Sequence, residues 1–250
     1  MRKYGLIGFP LGHSFSQKYF TEKFKNEWIA DAVYDNYPLE SIKRLPELIN
    51  SEKELCGLNV TIPYKTEVIS YINFLDKTAS EIGAVNVIKI LRTGDKAVLY
   101  GYNSDVHGIE DSLKPYLKKG ITKALVLGTG GSSKSVCYVL RMLNISITQV
   151  SREAREGILS YNQLTNDILI DNKLIINTTP LGMYPNTGNR PDINYSVLGK
   201  EHLLFDLVYN PEITFFLKSG LDQGCSIITG LKMLHSQAEK AWKIWNDDAY

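Results

Sequence analysis

The sequence predicts an α/β protein of two domains, and three of its features carry the prediction. Short apolar runs alternate with helical stretches through about the first hundred residues, as in layered α/β structures. A glycine loop, Gly128-Thr129-Gly130-Gly131, stands between an apolar run and an amphipathic stretch. Strand and helix patterns then alternate as far as a long final helix. At 250 residues the chain is long enough for two modest cores. The expected division is an N-terminal α/β domain over residues 1–108 completed by 229–250, and a Rossmann-like, doubly wound dinucleotide-binding domain over 109–228.

In chain order, residues 4–8 read as a buried strand ended by Gly8-Phe9-Pro10-Leu11-Gly12. Ser14 or Ser16 then caps a helix through Tyr19, Phe20, Phe24 and Trp28, whose apolar residues recur at helical spacing. Residues 33–37 form a second strand and 42–49 a helix. Residues 57–62 make a third strand, cut off by Pro63, which opens a helix carrying Tyr64-Lys65-Thr66-Glu67-Val68. Residues 84–91 and 96–100 pair as a hairpin around Thr93-Gly94-Asp95. Beyond Gly108 come a helix over 109–117 and a strand over 124–127. The helix after the glycine loop places Val136, Val139, Leu140 and Leu143 on one stripe. Strands follow at 145–150, 174–177 and 203–207. The last helix carries Leu231, Leu234, Ala238, Ala241, Trp242 and Trp245 on one face.

Composition narrows the function classes. Apolar residues are 44% and charged residues 22%, the balance of an ordered globular chain. The formal net charge is +1, so no global field recommends nucleic acid or an anionic membrane as partner. Three cysteines and four histidines show no metal-ligand spacing, so no metal is expected and the thiols read as reduced. The first strand begins almost at once, without a charged start and long apolar stretch, and no run reaches membrane-span length. The expectation is a cytoplasmic protein with a small-molecule partner, and neither nucleic acid nor membrane.

Glycine in the 128–131 loop meets two needs, a tight turn and bare backbone against a pyrophosphate. The helix that follows offers N–H groups and a positive dipole end to phosphate. Ser133 stands at the third position of the fingerprint, where Gly or Ala is usual. After the next strand comes Ser151-Arg152-Glu153-Ala154-Arg155. A leading acid there would suit free ribose hydroxyls; Arg152 and Arg155 suit a 2′-phosphate, and the expected cofactor is NADP. A solvated charged loop is the plainer alternative, and Glu153 opposes the phosphate.

Four polar segments sit near strand ends of the first domain: His13-Ser14-Phe15-Ser16, Asn59-Val60-Thr61-Ile62-Pro63-Tyr64-Lys65, Gly83-Ala84-Val85-Asn86 and Gly101-Tyr102-Asn103-Ser104-Asp105. Ligands of open α/β sheets lie beyond the carboxyl ends of strands, so these segments can share one pocket suited to a polyhydroxylated carboxylate. Each residue also has an uneventful reading. Ser14 or Ser16 serves equally as a helix cap, Lys65 as a solvated residue, Asp105 as a cap, Asn86 as a turn closer, and Gln237 as a polar helix position.

These segments, with Asn103-Ser104-Asp105-x-x-Gly108, Asn177-Thr178-Thr179-Pro180-Leu181-Gly182-Met183, Asp206-Leu207-Val208-Tyr209-Asn210-Pro211 and Gly230-x-x-Met233-Leu234-x-x-Gln237, make the chain resemble the shikimate dehydrogenase family across almost its whole length. The resemblance implies NADPH-dependent, reversible reduction of 3-dehydroshikimate to shikimate, a step of chorismate and aromatic amino-acid biosynthesis. It implies that Ser14 and Ser16 hold the substrate carboxylate, and Thr61, Asn86, Asp105 and Gln237 its hydroxyls. Tyr209 then lines the pocket near the nicotinamide. Gly128, Thr129, Gly130, Gly131, Ser132, Ser151, Arg152, Arg155, Thr178, Leu207 and Gly230 border the cofactor. The final helix returns to the first domain, and the protein is a monomer or homodimer. Departures from the family pattern are Gln17 for proline, Ser104 for threonine, Ser151 for asparagine and Glu153 for threonine.

Lys65 and Asp105 are the catalytic candidates. An ammonium donates to the carbonyl oxygen, stabilises the charge growing there and delivers the proton, while the carboxylate positions the amine. Two other readings remain open: a quinate/shikimate dehydrogenase of broader specificity, and a non-catalytic sensor that binds shikimate-like ligands. Intact catalytic candidates and glycine loop speak against the sensor.

Overall fold

The computed structural model describes residues 1–11, 15–117 and 120–247. Ser14, and with it His13, lies outside the described residues. The chain forms two compact units, Met1–Ser104 with Ala238–Tyr250, and Asp105–Gln237.

The first unit is built on strands β1 (Arg2–Gly8), β2 (Ala32–Pro38), β3 (Leu55–Val60), β4 (Phe74–Leu75), β5 (Val87–Thr93) and β6 (Lys96–Tyr102), in sheet order β2-β1-β3-β5-β6-β4. β1 is parallel to β2 and β3, whereas β5 runs antiparallel to β3 and β6. Side chains alternate across the sheet. Tyr4 and Leu6 of β1 enter a core with Phe20, Phe24, Tyr34 and Trp245, and Ile7 enters the opposite one with Leu45, Leu58 and Val85. The helices of this unit are α1 (Phe15–Asn26), α2 (Leu45–Ser51) and α3 (Lys77–Ile82).

Local differences from the sequence reading have physical causes. α1 stops at Asn26, and Ile29 N–H closes back on the Phe24 carbonyl at 2.9 Å. Trp28 therefore sits at φ 57°, 91% exposed, instead of continuing the apolar stripe. Ser16 lies inside α1. The segment after Pro63 is a turn, not a helix: Tyr64 is buried with its hydroxyl on the Leu39 carbonyl at 2.6 Å, and a 3₁₀ turn begins only at Glu67. Lys65 thus stands on a turn.

The second unit opens with α4 (Asp105–Leu113), four residues earlier than its apolar pattern suggests. Its strands are β7 (Lys123–Leu127), β8 (Ser146–Ser151), β9 (Ile158–Ser160), β10 (Leu174–Asn177), β11 (Leu203–Asp206) and β12 (Ser226–Ile228). All pair in parallel, in the order β12-β11-β10-β7-β8-β9. The two halves run outward from β7 in opposite directions, which creates a switch point between β7 and β10. β10 and β11 are buried throughout, as expected of a parallel sheet covered on both faces. Helices α5 (Gly131–Met142), α6 (Asn166–Asp171) and α7 (Phe215–Leu221) complete the crossovers.

The last helix, α8 (Gly230–Asn246), is shared, with the division between the units falling at Gln237 and Ala238. Its C-terminal half brings Trp245 onto β3, where a Cβ on Gly57 would lie 2.4 Å from the indole. The indole N–H donates to the Ile88 carbonyl at 3.0 Å. No helix among the described residues is long and apolar enough to cross a membrane.

Candidate active site

In the first unit, one sheet edge gathers the carboxyl ends of β1, β3 and β6 and the start of the antiparallel β5. Backbone bonds knit the segments there. Thr61 N–H donates to the Ile7 carbonyl at 2.9 Å, and Val60 N–H to the Asn86 carbonyl at 2.9 Å. Val85 N–H donates to the Lys65 carbonyl at 2.7 Å. Asn103 Nδ2 donates to the Ala84 carbonyl at 2.9 Å, and Ser104 N–H to Asn86 Oδ1 at 2.7 Å. The edge therefore carries Thr61 and Lys65, both half-buried, beside buried Asn86. The next residue along the chain after Ser104 is Asp105, fully buried as the first residue of α4.

Ser16 and Asn59 are tied to the same framework through Tyr34. The Tyr34 hydroxyl donates to Asn59 Oδ1 at 2.8 Å and hydrogen-bonds Ser16. Burial raises the Tyr34 pKa well above the ordinary phenol range, and the Ser16 contact opposes the rise, so Tyr34 is a permanent donor. Two family departures find partners here. Ser104 Oγ accepts from Asn86 Nδ2 at 3.1 Å, and Gln17 Oε1 accepts from Asn36 Nδ2 at 2.9 Å.

In the second unit the glycine loop lies at the switch point. Gly128 adopts φ 116°, and a Cβ there would meet Thr178 Oγ1 at 2.5 Å, so the position admits only glycine. Thr178 is fixed against β7, its N–H and hydroxyl both donating to the Leu127 carbonyl, at 2.9 and 2.7 Å. Gly130, the N-cap of α5, is exposed and a Cβ there would meet nothing within 4 Å. Open space over bare backbone at a helix start fits a dinucleotide pyrophosphate. Thr129, Gly131 and Ser132 are half-buried around it.

Ser133 explains its own departure from the fingerprint. It is fully buried, and its hydroxyl donates to the Gly128 carbonyl at 2.8 Å. Gln149 Nε2 donates to both Ser133 Oγ and that carbonyl, at 2.8 and 3.1 Å. A glycine or alanine at 133 would leave the loop carbonyl with one donor fewer. In the sequence Ser133 is only a departure from the fingerprint, and Gln149 carries no local signal, because its link requires β8 to lie beside β7.

At the end of β8, Ser151 is buried and its hydroxyl bonds the Glu153 carbonyl, closing a tight turn. Arg152 and Arg155 are exposed, with no ion pair to either among the described residues. Two exposed guanidinium groups with no ion pair to break suit an anionic ligand such as a phosphate. Glu153 is exposed beside them.

On the far side of the switch point, Leu207 N–H donates to the Asn177 carbonyl at 3.1 Å. Gly230 packs so closely that a Cβ would lie 2.6 Å from the Leu207 carbonyl oxygen and 2.7 Å from that of Val208. Tyr209 is half-buried, and burial raises its phenol pKa. Gln237 is half-buried on α8. An open groove lined by Lys123, Thr148 and Asp171 among others shares no residue with these sites.

Residues 6–88 match the model of the shikimate dehydrogenase substrate binding domain. A shikimate dehydrogenase (NADP+) of Clostridium beijerinckii is 37% identical, over 99% of this chain and 93% of its own. The chain belongs to the shikimate dehydrogenase family. A second member, from Methanococcus aeolicus, is 36% identical over 96% of this chain and 90% of its own. Among solved structures, a chorismate mutase/shikimate 5-dehydrogenase fusion protein from Clostridium acetobutylicum superposes with a TM-score of 0.84 at 34% identity, covering 98% of this chain and 91% of that one. The expected α/β architecture, with an N-terminal domain and a Rossmann-like one, is the family's and is found here.

Proposed function

We propose that this protein catalyses the reversible, NADPH-dependent reduction of 3-dehydroshikimate to shikimate. One observation carries the reading beyond family membership: Thr61, Lys65 and Asn86 stand on a single sheet edge, and the chain passes from that edge directly into Asp105. Such an edge supplies an ammonium and neutral hydrogen-bonding groups, and the chain leaving it carries a carboxylate, the group types that a hydroxylated keto acid requires.

In this reading Ser14 and Ser16 bind the substrate carboxylate. Thr61, Asn86 and Gln237 bind its hydroxyls, and Tyr209 closes the pocket beside the nicotinamide. Gly128 to Ser132, Ser151, Thr178, Leu207 and Gly230 hold the cofactor, with Arg152 and Arg155 on its 2′-phosphate. NADPH, when bound, supplies the hydride that reaches the carbonyl carbon. Lys65 donates a hydrogen bond to the carbonyl oxygen, stabilises the negative charge that grows there and gives up a proton. Asp105 positions the amine. The functional division, residues 1–108 with 229–250 for substrate and 109–228 for cofactor, differs from the compact units by assigning Asp105 and Gln237 to the substrate side. The protein acts in the cytoplasm as a monomer or homodimer.

The test is the absorbance of NADPH with purified protein and 3-dehydroshikimate. Loss of absorbance that depends on both substrates is expected, slower with NADH, and no gain of absorbance is expected when quinate and NAD+ are supplied in the oxidation direction. Binding of shikimate without turnover would replace the enzyme reading with the sensor reading.

A further inference from the structure

The strand ends beyond the switch point are joined by a buried polar group that the proposed mechanism does not use. Asp206, the last residue of β11, is fully buried. Its Oδ1 accepts from Asn177 Nδ2, at the end of β10, at 2.9 Å, and from the Val208 N–H at 3.0 Å. Its Oδ2 accepts from the hydroxyl of Thr214, the N-cap of α7, at 2.5 Å. Asn177 Oδ1 in turn accepts from the Thr179 N–H and hydroxyl, at 3.0 and 2.7 Å. One carboxylate oxygen therefore fixes two departing chains, that of Thr178-Thr179 and that of Leu207-Val208.

Burying a carboxyl is costly, and an apolar residue would fill the space without that penalty. What the carboxyl adds is direction. The Val208 bond turns the chain immediately after β11, and the Leu207 and Val208 carbonyls then meet Gly230 with no room for a side chain. The Val208 N–H bond, with that of Leu207 N–H to the Asn177 carbonyl, ties the segment to that course.

We infer that Asp206 is a positioning residue for the cofactor: through Oδ1 it holds the Leu207–Val208 backbone and the Thr178 segment in the geometry that receives the nicotinamide half of NADPH. The inference rests on the reading that Leu207, Tyr209, Thr178 and Gly230 line the cofactor site. Thr214, on Oδ2, is a helix cap and lies outside this role.

Equilibrium titration of NADPH fluorescence, independent of turnover, separates the possibilities when paired with the thermal midpoint of each variant. D206A removes both acceptors and should raise the NADPH Kd about tenfold or more. D206N keeps an acceptor for Val208 and should restore the Kd to within about threefold of the wild type. T214V loses the α7 cap and should lower the thermal midpoint with the Kd unchanged. If D206A fails to fold, N177A, which cuts the tie between Asp206 and β10, is read the same way. A D206A or N177A Kd equal to the wild type's overturns the inference. So does a T214V Kd raised as much as theirs, because affinity then follows stability alone. A wild-type protein that binds no NADPH refutes instead the reading on which the inference rests.

Discussion

Asp206 also makes a quantitative prediction about stability. Burial pushes its pKa from an ordinary 3.8 up to about 7, outweighing the opposing hydrogen bonds from Thr214, Val208 and Asn177. At about 1.4 kcal/mol per pH unit of difference between folded and unfolded chain, the rise corresponds to about 4 kcal/mol. A carboxyl held higher in the folded state gives a contribution that is complete below the unfolded value and disappears as pH climbs through the folded one. Asp206 thus favours folding near pH 4 relative to pH 8, and its contribution falls between those limits. Asp31, Glu54 and Glu239 are shifted downward and work in the opposite sense, so the wild-type curve alone mixes these effects. D206N, the neutral near-isostere, isolates the group. The assay is urea unfolding of both proteins at intervals from pH 4 to pH 8. The stability of the wild type minus that of D206N should fall by up to about 4 kcal/mol across that window and level off above it. A difference that is flat, or that grows with pH, would refute the burial argument.

Three further outcomes follow from particular contacts. G130V places a branched side chain in the open space above the start of α5, so the fold should survive with NADPH affinity reduced about tenfold or more, as calorimetry would measure. The double variant R152A/R155A should lower kcat/KM for NADPH by about ten- to a hundredfold and leave the NADH value unchanged; equal losses with both cofactors would remove these residues from 2′-phosphate recognition. G57A drives a methyl into the indole of Trp245, 2.4 Å away, and should cost about 1–3 kcal/mol in urea unfolding while leaving KM for NADPH unchanged.

Much of the fold was legible because its signals are local. The glycine loop between an apolar strand and an amphipathic helix is a short-range pattern, and β7, α5 and β8 lie where it places them. α3 has a legible signal that apolar periodicity overlooks: Asp76 accepts from the Thr78 and Ala79 N–H groups, and Gly83 ends the helix at φ 67°. α7 is similarly announced by its cap, Thr214, and was obscured by its brevity. Trp28 shows the limit of periodicity, since apolar spacing continued after the chain had turned away. At the candidate site, residue types and their order pointed to Lys65, Asp105, Asn86 and the glycines. The supporting partners were invisible because they are distant in sequence: Gln149 reaches Gly128 across a strand pair, and Asp206 reaches Asn177 between neighbouring strands. No local pattern encodes such pairs; only the sheet order brings them together.

The proposed chemistry depends on a proton donor at Lys65, and the most direct measurement compares K65A with the wild type in NADPH oxidation by 3-dehydroshikimate, with NADPH binding titrated alongside. Loss of that donor should leave kcat at least about a hundredfold lower and the NADPH Kd unchanged. Near-normal kcat in K65A would contradict that chemistry.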